Sequence, residues 1–116
     1  MVEIKTSTDK PQKVELVGEK IIGYQARVLN FNVKETKTTD PDTKEEITQY
    51  EYESIFVNAM AFEYEKIVPM LVRAHYSADD EFAIQRKAIL GDTEEFNTYN
   101  DWVQYCKTFA MSLFED

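Results

Sequence analysis

One cysteine, one histidine and three glycines in 116 residues leave several chemistries without parts. A lone cysteine excludes an intrachain disulfide and fits a small buried thiol in a reducing compartment. A zinc set would need carboxylates to complete it. Gly18, Gly23 and Gly91 stand too far apart to form a phosphate-cradling loop, a Gly-x-Ser-x-Gly turn or a dinucleotide fingerprint. Calcium loops of the Asp-x-Asp-x-Asp-Gly type are also missing. Nowhere does an apolar run approach the roughly 20 residues of a membrane helix, and the opening MVEIKTSTDKPQ has no apolar stretch after a basic start. Neither a span nor a signal peptide is expected. Basic side chains are few, 13 against 22 acidic, for a net charge of −9. That balance disfavours attraction to nucleic-acid phosphates and anionic lipid, so no direct nucleic-acid or membrane contact is expected. The expected setting is cytoplasmic, with no cofactor, metal or small-molecule ligand.

Aromatic residues are what the chain has in plenty: seven Tyr, seven Phe and one Trp. The length suits one domain able to bury roughly 65% of its unfolded surface without staples. The acidity is uneven. Residues 1–61 carry 8 basic and 11 acidic groups, and residues 62–116 carry 5 and 11, so the second half is the more acidic.

Taken in order, residues 1–12 are polar and contain Pro11, which predicts a flexible arm. Alternation begins at Lys13, with Val14 and Leu16 on one side; Gly18-Glu19 offers a turn before Ile21 and Ile22. In the next strand Ile22, Tyr24, Ala26 and Val28 share a face, while Leu29, Phe31 and Val33 continue on odd positions. The change of parity at Val28-Leu29 predicts a β-bulge or a change of covered face, and Gly23 could mark a close approach instead. Lys34 to Glu46 lacks apolar residues and reads as an exposed hairpin loop. From Ile47 to Met60 a central strand sets Tyr50, Tyr52, Ser54, Phe56 and Met60 on one face and Ile55, Val57 and Ala59 on the other, with its second half covered on both sides.

The period then lengthens. Ile67, Val68, Leu71, Val72 and His75 recur at helical spacing, and Pro69 suits only a first turn. Ser77 with Asp80 forms a start signal like a capping box, Asp79, Asp80 and Glu81 suit the positive end of a helix dipole, and Gly91 is a stop. Phe82, Ile89 and Leu90 supply apolar contacts. Asp92 with Glu95 repeats the start signal for a last helix, along which Phe96, Tyr99, Val103, Cys106, Ala110 and Leu113 form one seam, widened by Trp102, Tyr105 and Phe109.

Tyr76-Ser77-x-Asp79-Asp80-Glu81-x-Ala83-Ile84-x-Arg86, followed by Glu95-Phe96-x-x-Tyr99-Asn100-x-Trp102-Val103-x-x-Cys106-Lys107, resembles the C-terminal half of small uncharacterised proteins encoded by bacteriophages and prophages of gut bacteria. The resemblance covers about residues 50–110. It implies a bacterial host cytoplasm or a virion as the setting, and brings no catalytic residue with it.

Cys106 with His75 as base would make a nucleophile, but the register of Cys106 with the apolar seam favours a core thiol. His75 ends an apolar stripe and reads as structural or interfacial. Carboxylates for acid and base work on a glycan are abundant, yet abundance does not set two of them across a cleft. Tyr24, Tyr50 and Tyr52 offer an aromatic platform on the sheet, and Trp102 and Tyr105 offer anchors on the last helix; these five residues are the candidate protein interface. No catalytic, cofactor or metal residue is assigned.

The expectation is therefore an α+β protein: a flexible arm over 1–12, then a single domain over 13–116, with an antiparallel three-stranded meander (13–61) followed by three helices packed on one sheet face (62–116). The expected function is a non-enzymatic phage or prophage structural, assembly or accessory component that binds a protein partner or itself. The alternatives are an acidic decoy of a nucleic-acid-binding protein and a small hydrolase.

Overall fold

The computed structural model describes residues 2–21 and 24–114. The architecture is α+β, in two compact units, Met1–Met60 and Ala61–Asp116. The first holds strands β1 (Val2–Ser7), β2 (Val14–Ile21), β3 (Tyr24–Thr39) and β4 (Glu46–Val57), ordered β1-β4-β3-β2 in one antiparallel sheet. The second holds helices α1 (Tyr64–Arg73), α2 (Ala78–Ile89) and α3 (Glu94–Ser112).

The sheet has four strands rather than the expected three, and the extra one comes from the stretch expected to be a flexible arm. β1 pairs with β4 from Val2↔Ile55 to Ser7↔Tyr50. Val2, Ile4 and Thr6 are β-branched residues at period 2, a strand pattern that the surrounding polar residues conceal.

Three further sheet expectations need correction. Gly18 is not a turn: it lies inside β2 with φ +73°, where the register with β3 shifts between Val17 and Ile21. A left-handed backbone of this kind favours glycine, and here it makes a bulge. The readings placed on Ile22 and Gly23 fall outside the described residues. The irregularity in β3 lies not at Val28-Leu29 but beyond Phe31, where Asn32 takes φ +52° and pairing resumes at Lys34↔Glu51. The exposed loop is also shorter than expected, since Lys34 to Thr39 belong to β3 and pair with β4 as far as Thr39↔Glu46. Only the tip turns, with Lys44 N–H donating to the Asp40 carbonyl at 2.8 Å and Asp42 N–H to Asp40 Oδ1 at 2.8 Å.

Directly opposed residues point to the same side of a sheet. The pairs Leu29↔Ile55 and Arg27↔Val57 therefore put Leu29, Phe31, Ile55 and Val57 on one face, all four of them buried. The other face carries Val28, Asn30, Ser54 and Phe56. Phe56 is 51% exposed there, so the end of β4 is not covered on both sides. Asn30 and Ser54 are buried polar residues. The Ser54 hydroxyl donates to Asn30 Oδ1 at 2.6 Å, and Asn30 Nδ2 donates to the Gln12 carbonyl at 2.8 Å. Asn30 N–H also donates to the Lys13 carbonyl, so one side chain and its own backbone hold residues 12 and 13 against the sheet.

In the helical unit Ile67, Leu71, Val72, Ile84, Cys106, Phe109 and Ala110 are buried. Pro69 lies inside α1 rather than in its first turn. Its missing N–H leaves the Glu65 carbonyl without a helical donor; both residues are exposed, so water can serve that carbonyl. The capping box of α2 is complete: Ser77 Oγ accepts from Asp80 N–H at 3.1 Å, and Ser77 N–H donates to Asp80 Oδ2 at 3.0 Å. At its end Gly91, with φ +100°, donates to the Ala88 carbonyl and Asp92 N–H to the Lys87 carbonyl, the paired bonds of a Schellman stop. The N-cap of α3 is Thr93, one residue beyond the expected Asp92.

Candidate interaction surfaces

The five candidate interface residues divide between the units, Tyr24, Tyr50 and Tyr52 in the sheet unit and Trp102 and Tyr105 in the helical unit. Tyr24, Tyr50 and Tyr52 share a sheet face by alternation, but the register sets Tyr50 and Tyr52 beside Glu35 and Lys5, and Tyr24 at the far end of β3. Along the strand Tyr24 and the residues facing Tyr52 are separated by roughly 30 Å. Tyr24 is 50% exposed, and Tyr50 and Tyr52 are partly covered. A continuous tyrosine platform is therefore not assembled within the sheet unit.

Trp102 and Tyr105 are brought together. Their rings stack at 5.2 Å and 19°. His75 lies over the outer end of this stack, with its ring 3.7 Å from that of Trp102 and nearly parallel at 4°; Phe109 continues the inner end at 6.1 Å and 18°. The spacing 102, 105, 109 on a 3.6-residue helix makes this column. Trp102 Nε1–H donates to the Leu71 carbonyl at 3.1 Å, which ties the indole of α3 to α1. Exposure changes steeply along the column: His75 is exposed, Tyr105 is 36% exposed and Phe109 only 8%. Cys106, in the next position around the helix, is fully buried.

One carboxylate joins all three helices. Glu81, in the first turn of α2, accepts from Arg73 at the end of α1 and from the hydroxyl of Tyr99 on α3. Tyr76 meets Tyr99 edge to face at 5.0 Å. The Tyr99 hydrogen bond, helped by Arg73, holds the Glu81 carboxyl below its ordinary value despite partial burial. Burial and the same hydrogen bond push the Tyr99 hydroxyl up to about 12. Asp80 is likewise lowered by the Ser77 backbone and hydroxyl, and Lys87 is raised by its hydrogen bond to Glu95 at 2.9 Å. Each acid of the first turn of α2 for which a contact is seen thus has its own structural partner.

Beside this cluster an open cleft of about 490 Å³ is lined by Tyr76, Ile84, Asp92, Glu94, Glu95 and Thr98. Among the described residues no group of three or more His, Cys, Asp or Glu is placed to hold a metal ion. Nor is any helix among them long and apolar enough to cross a membrane.

Phe82, Ile89 and Leu90, expected to make apolar contacts, are instead 70%, 85% and 81% exposed. At about 100° per residue, Phe82 and Ile89 stand roughly 150° around α2 from Ile84, its one buried residue. The helix therefore has two apolar sides and buries the one bearing Ile84. Sequence periodicity shows both sides and cannot rank them, because the choice depends on α1 and α3. The Asn30–Ser54 pair was equally hidden, since nothing local marks either residue as buried. A signal for the Glu81 cluster did exist in the run of acids after Ser77, but not one that singles out Glu81.

The fold and these surfaces define an α+β protein with a four-stranded antiparallel sheet followed by a three-helix unit. No family model, curated protein or solved structure matches the chain.

Proposed function

We propose that this chain is a non-enzymatic bacteriophage or prophage structural, assembly or accessory component that acts through protein contacts, in the host cytoplasm or on the virion. The outward side of α2 carries the proposal: Phe82, Ile89 and Leu90 are left in water at 70%, 85% and 81% exposure. Large apolar side chains held outward on a helix offer roughly 1.5–3 kcal/mol each when a partner covers them. The middle of the aromatic column, the half-buried Trp102 and the more exposed Tyr105, adds residue types that anchor interfaces. The resemblance of Tyr76 to Lys107 to phage-encoded proteins supplies the setting. A catalytic use of Cys106 has less to stand on, because a fully buried thiol meets no substrate.

The test compares the wild type with Phe82→Ser/Ile89→Ser as bait in a phage-producing lysate. Capture of a defined partner by the wild type, lost in the variant while circular dichroism is unchanged, supports the proposal. Capture that survives in the variant removes α2 from it, and no specific capture counts against the whole.

A second proposal, an acidic decoy for a nucleic-acid-binding protein, draws on the acids Asp92, Glu94 and Glu95 around the open cleft. It requires competition with DNA for a basic partner that fades as salt rises; competition unaffected by salt would remove it.

A further inference from the structure

We infer that β1 is a self-pairing edge, at which two copies of this chain join strand to strand across a two-fold axis centred on Ile4. β1 is an end strand of the sheet, so its outer row of N–H and C=O groups has no strand partner among the described residues. Such an edge is a template for another strand unless it is blunted. The usual devices are weak here. The strand is regular through six paired residues, it contains no proline, and its middle residue Ile4 is 72% exposed. Its one lysine, Lys5, is matched by Glu3 on the same face, 4.0 Å away.

The occupant follows from charge and symmetry. Two antiparallel copies of β1 keep their sheet faces aligned only if residues of the same parity oppose each other. Three registers then bring the middle of the strand together. Centring on Glu3 sets glutamate against glutamate, and centring on Lys5 sets lysine against lysine. Centring on Ile4 sets Glu3 against Lys5 of the second copy and Lys5 against its Glu3, with Ile4 against Ile4 and Val2 against Thr6. Directly opposed side chains in an antiparallel pair have their Cβ atoms about 4.5–5.5 Å apart, close enough for both ion pairs and for contact between the two isoleucines. β2, the other edge, lacks this self-complementarity and is interrupted at Gly18, where φ is +73°. The product is a continuous eight-stranded sheet with an isologous interface. A pairing of this length buries less than the roughly 1,200 Å² at the low end of stable interfaces, so the dimer forms and dissociates with concentration.

The inference rests on the contact-protein proposal only in taking association to be this chain's work, and it uses a different surface from α2. The test is light scattering across concentration on the full chain. The wild-type mass is expected to rise from 13.6 kDa toward twice that value. Glu3→Lys and Lys5→Glu each turn both cross-strand pairs into like charges, so each weakens association about tenfold. The double variant restores the complementarity with its signs exchanged and associates like the wild type. An equimolar mixture of the two single variants also associates, as a heterodimer. Ile4→Cys cross-links to itself under mild oxidation, whereas Thr6→Cys does not, because Thr6 opposes Val2. Circular dichroism confirms that each variant is folded. A wild type that stays at 13.6 kDa at every concentration overturns the inference, as does association that neither single charge change weakens or the exchange does not rescue. Dimers without lysate capture uphold this edge and count against the α2 surface; capture without dimers does the reverse.

Discussion

The hydroxyl of Tyr99 donates to the Glu81 carboxylate, and through that carboxylate α3 is tied to both α2 and the Arg73 end of α1. Tyr99→Phe keeps the ring and its edge-to-face contact with Tyr76 but removes the donor. The expected loss is about 1–2 kcal/mol, measured by urea unfolding. Glu81→Gln retains an acceptor for Tyr99 and loses the charge that Arg73 faces, so its loss should be no larger than about 1 kcal/mol.

The same pair sets a pH dependence with two limbs. Glu81 is lowered from its ordinary 4.5, so its stabilisation is present above that value and disappears as pH falls through the lower, folded-state value. Tyr99 is raised from 10.0 to about 12, so its stabilisation is present below 10 and disappears as pH climbs between those values. The contribution of this pair should be level between these limits and fall on both sides, so Tyr99→Phe should flatten the alkaline fall of the melting temperature. An ultraviolet titration read as wild type minus Tyr99→Phe should show a tyrosine ionising well above 10. A difference centred at 10 would show that the hydrogen bond is not held in solution.

In the sheet, Asn30→Ala leaves the buried Ser54 hydroxyl without its acceptor and the part-buried Gln12 carbonyl without its side-chain donor. That substitution should cost about 2–3 kcal/mol, and Ser54→Ala, which strips a partner only from Asn30 Oδ1, about 1–2 kcal/mol. Denaturant midpoints of the two variants should rank in that order, and equal midpoints would refute the role given to Gln12.

Gly91→Ala should cost about 1–2 kcal/mol although a Cβ at that position meets no atom within 4 Å. The cost is conformational, from φ +100°, and not steric crowding by neighbours. Gly91→Asn, which tolerates left-handed backbone better, should recover part of it in thermal melts.

Cys106, at 0% exposure, should react with a thiol reagent only as fast as the helical unit opens, and at once in denaturant. Rapid labelling of the native protein would place the thiol in solvent and reopen a chemical role for it.

Several features were legible in the residues alone because their causes act within a turn or two of chain. Ser77 and Asp80 cap α2 through bonds three residues apart, Gly91 stops it through its own φ, and the step of three and four along α3 is enough to put Cys106 on the buried seam. Alternation likewise marked β4 and the paired faces of Tyr50 and Tyr52. Long-range pairing decided the rest. Val2–Ser7 became a strand because β4 offered it an edge, Asn32 absorbed the register shift that β3 and β4 impose on each other, and α2 turned Ile84 inward and Phe82 outward under the geometry of α1 and α3. Glu81 acquired its partners from residues 8 positions before it and 18 after it, a separation at which composition and period carry no information about which groups meet.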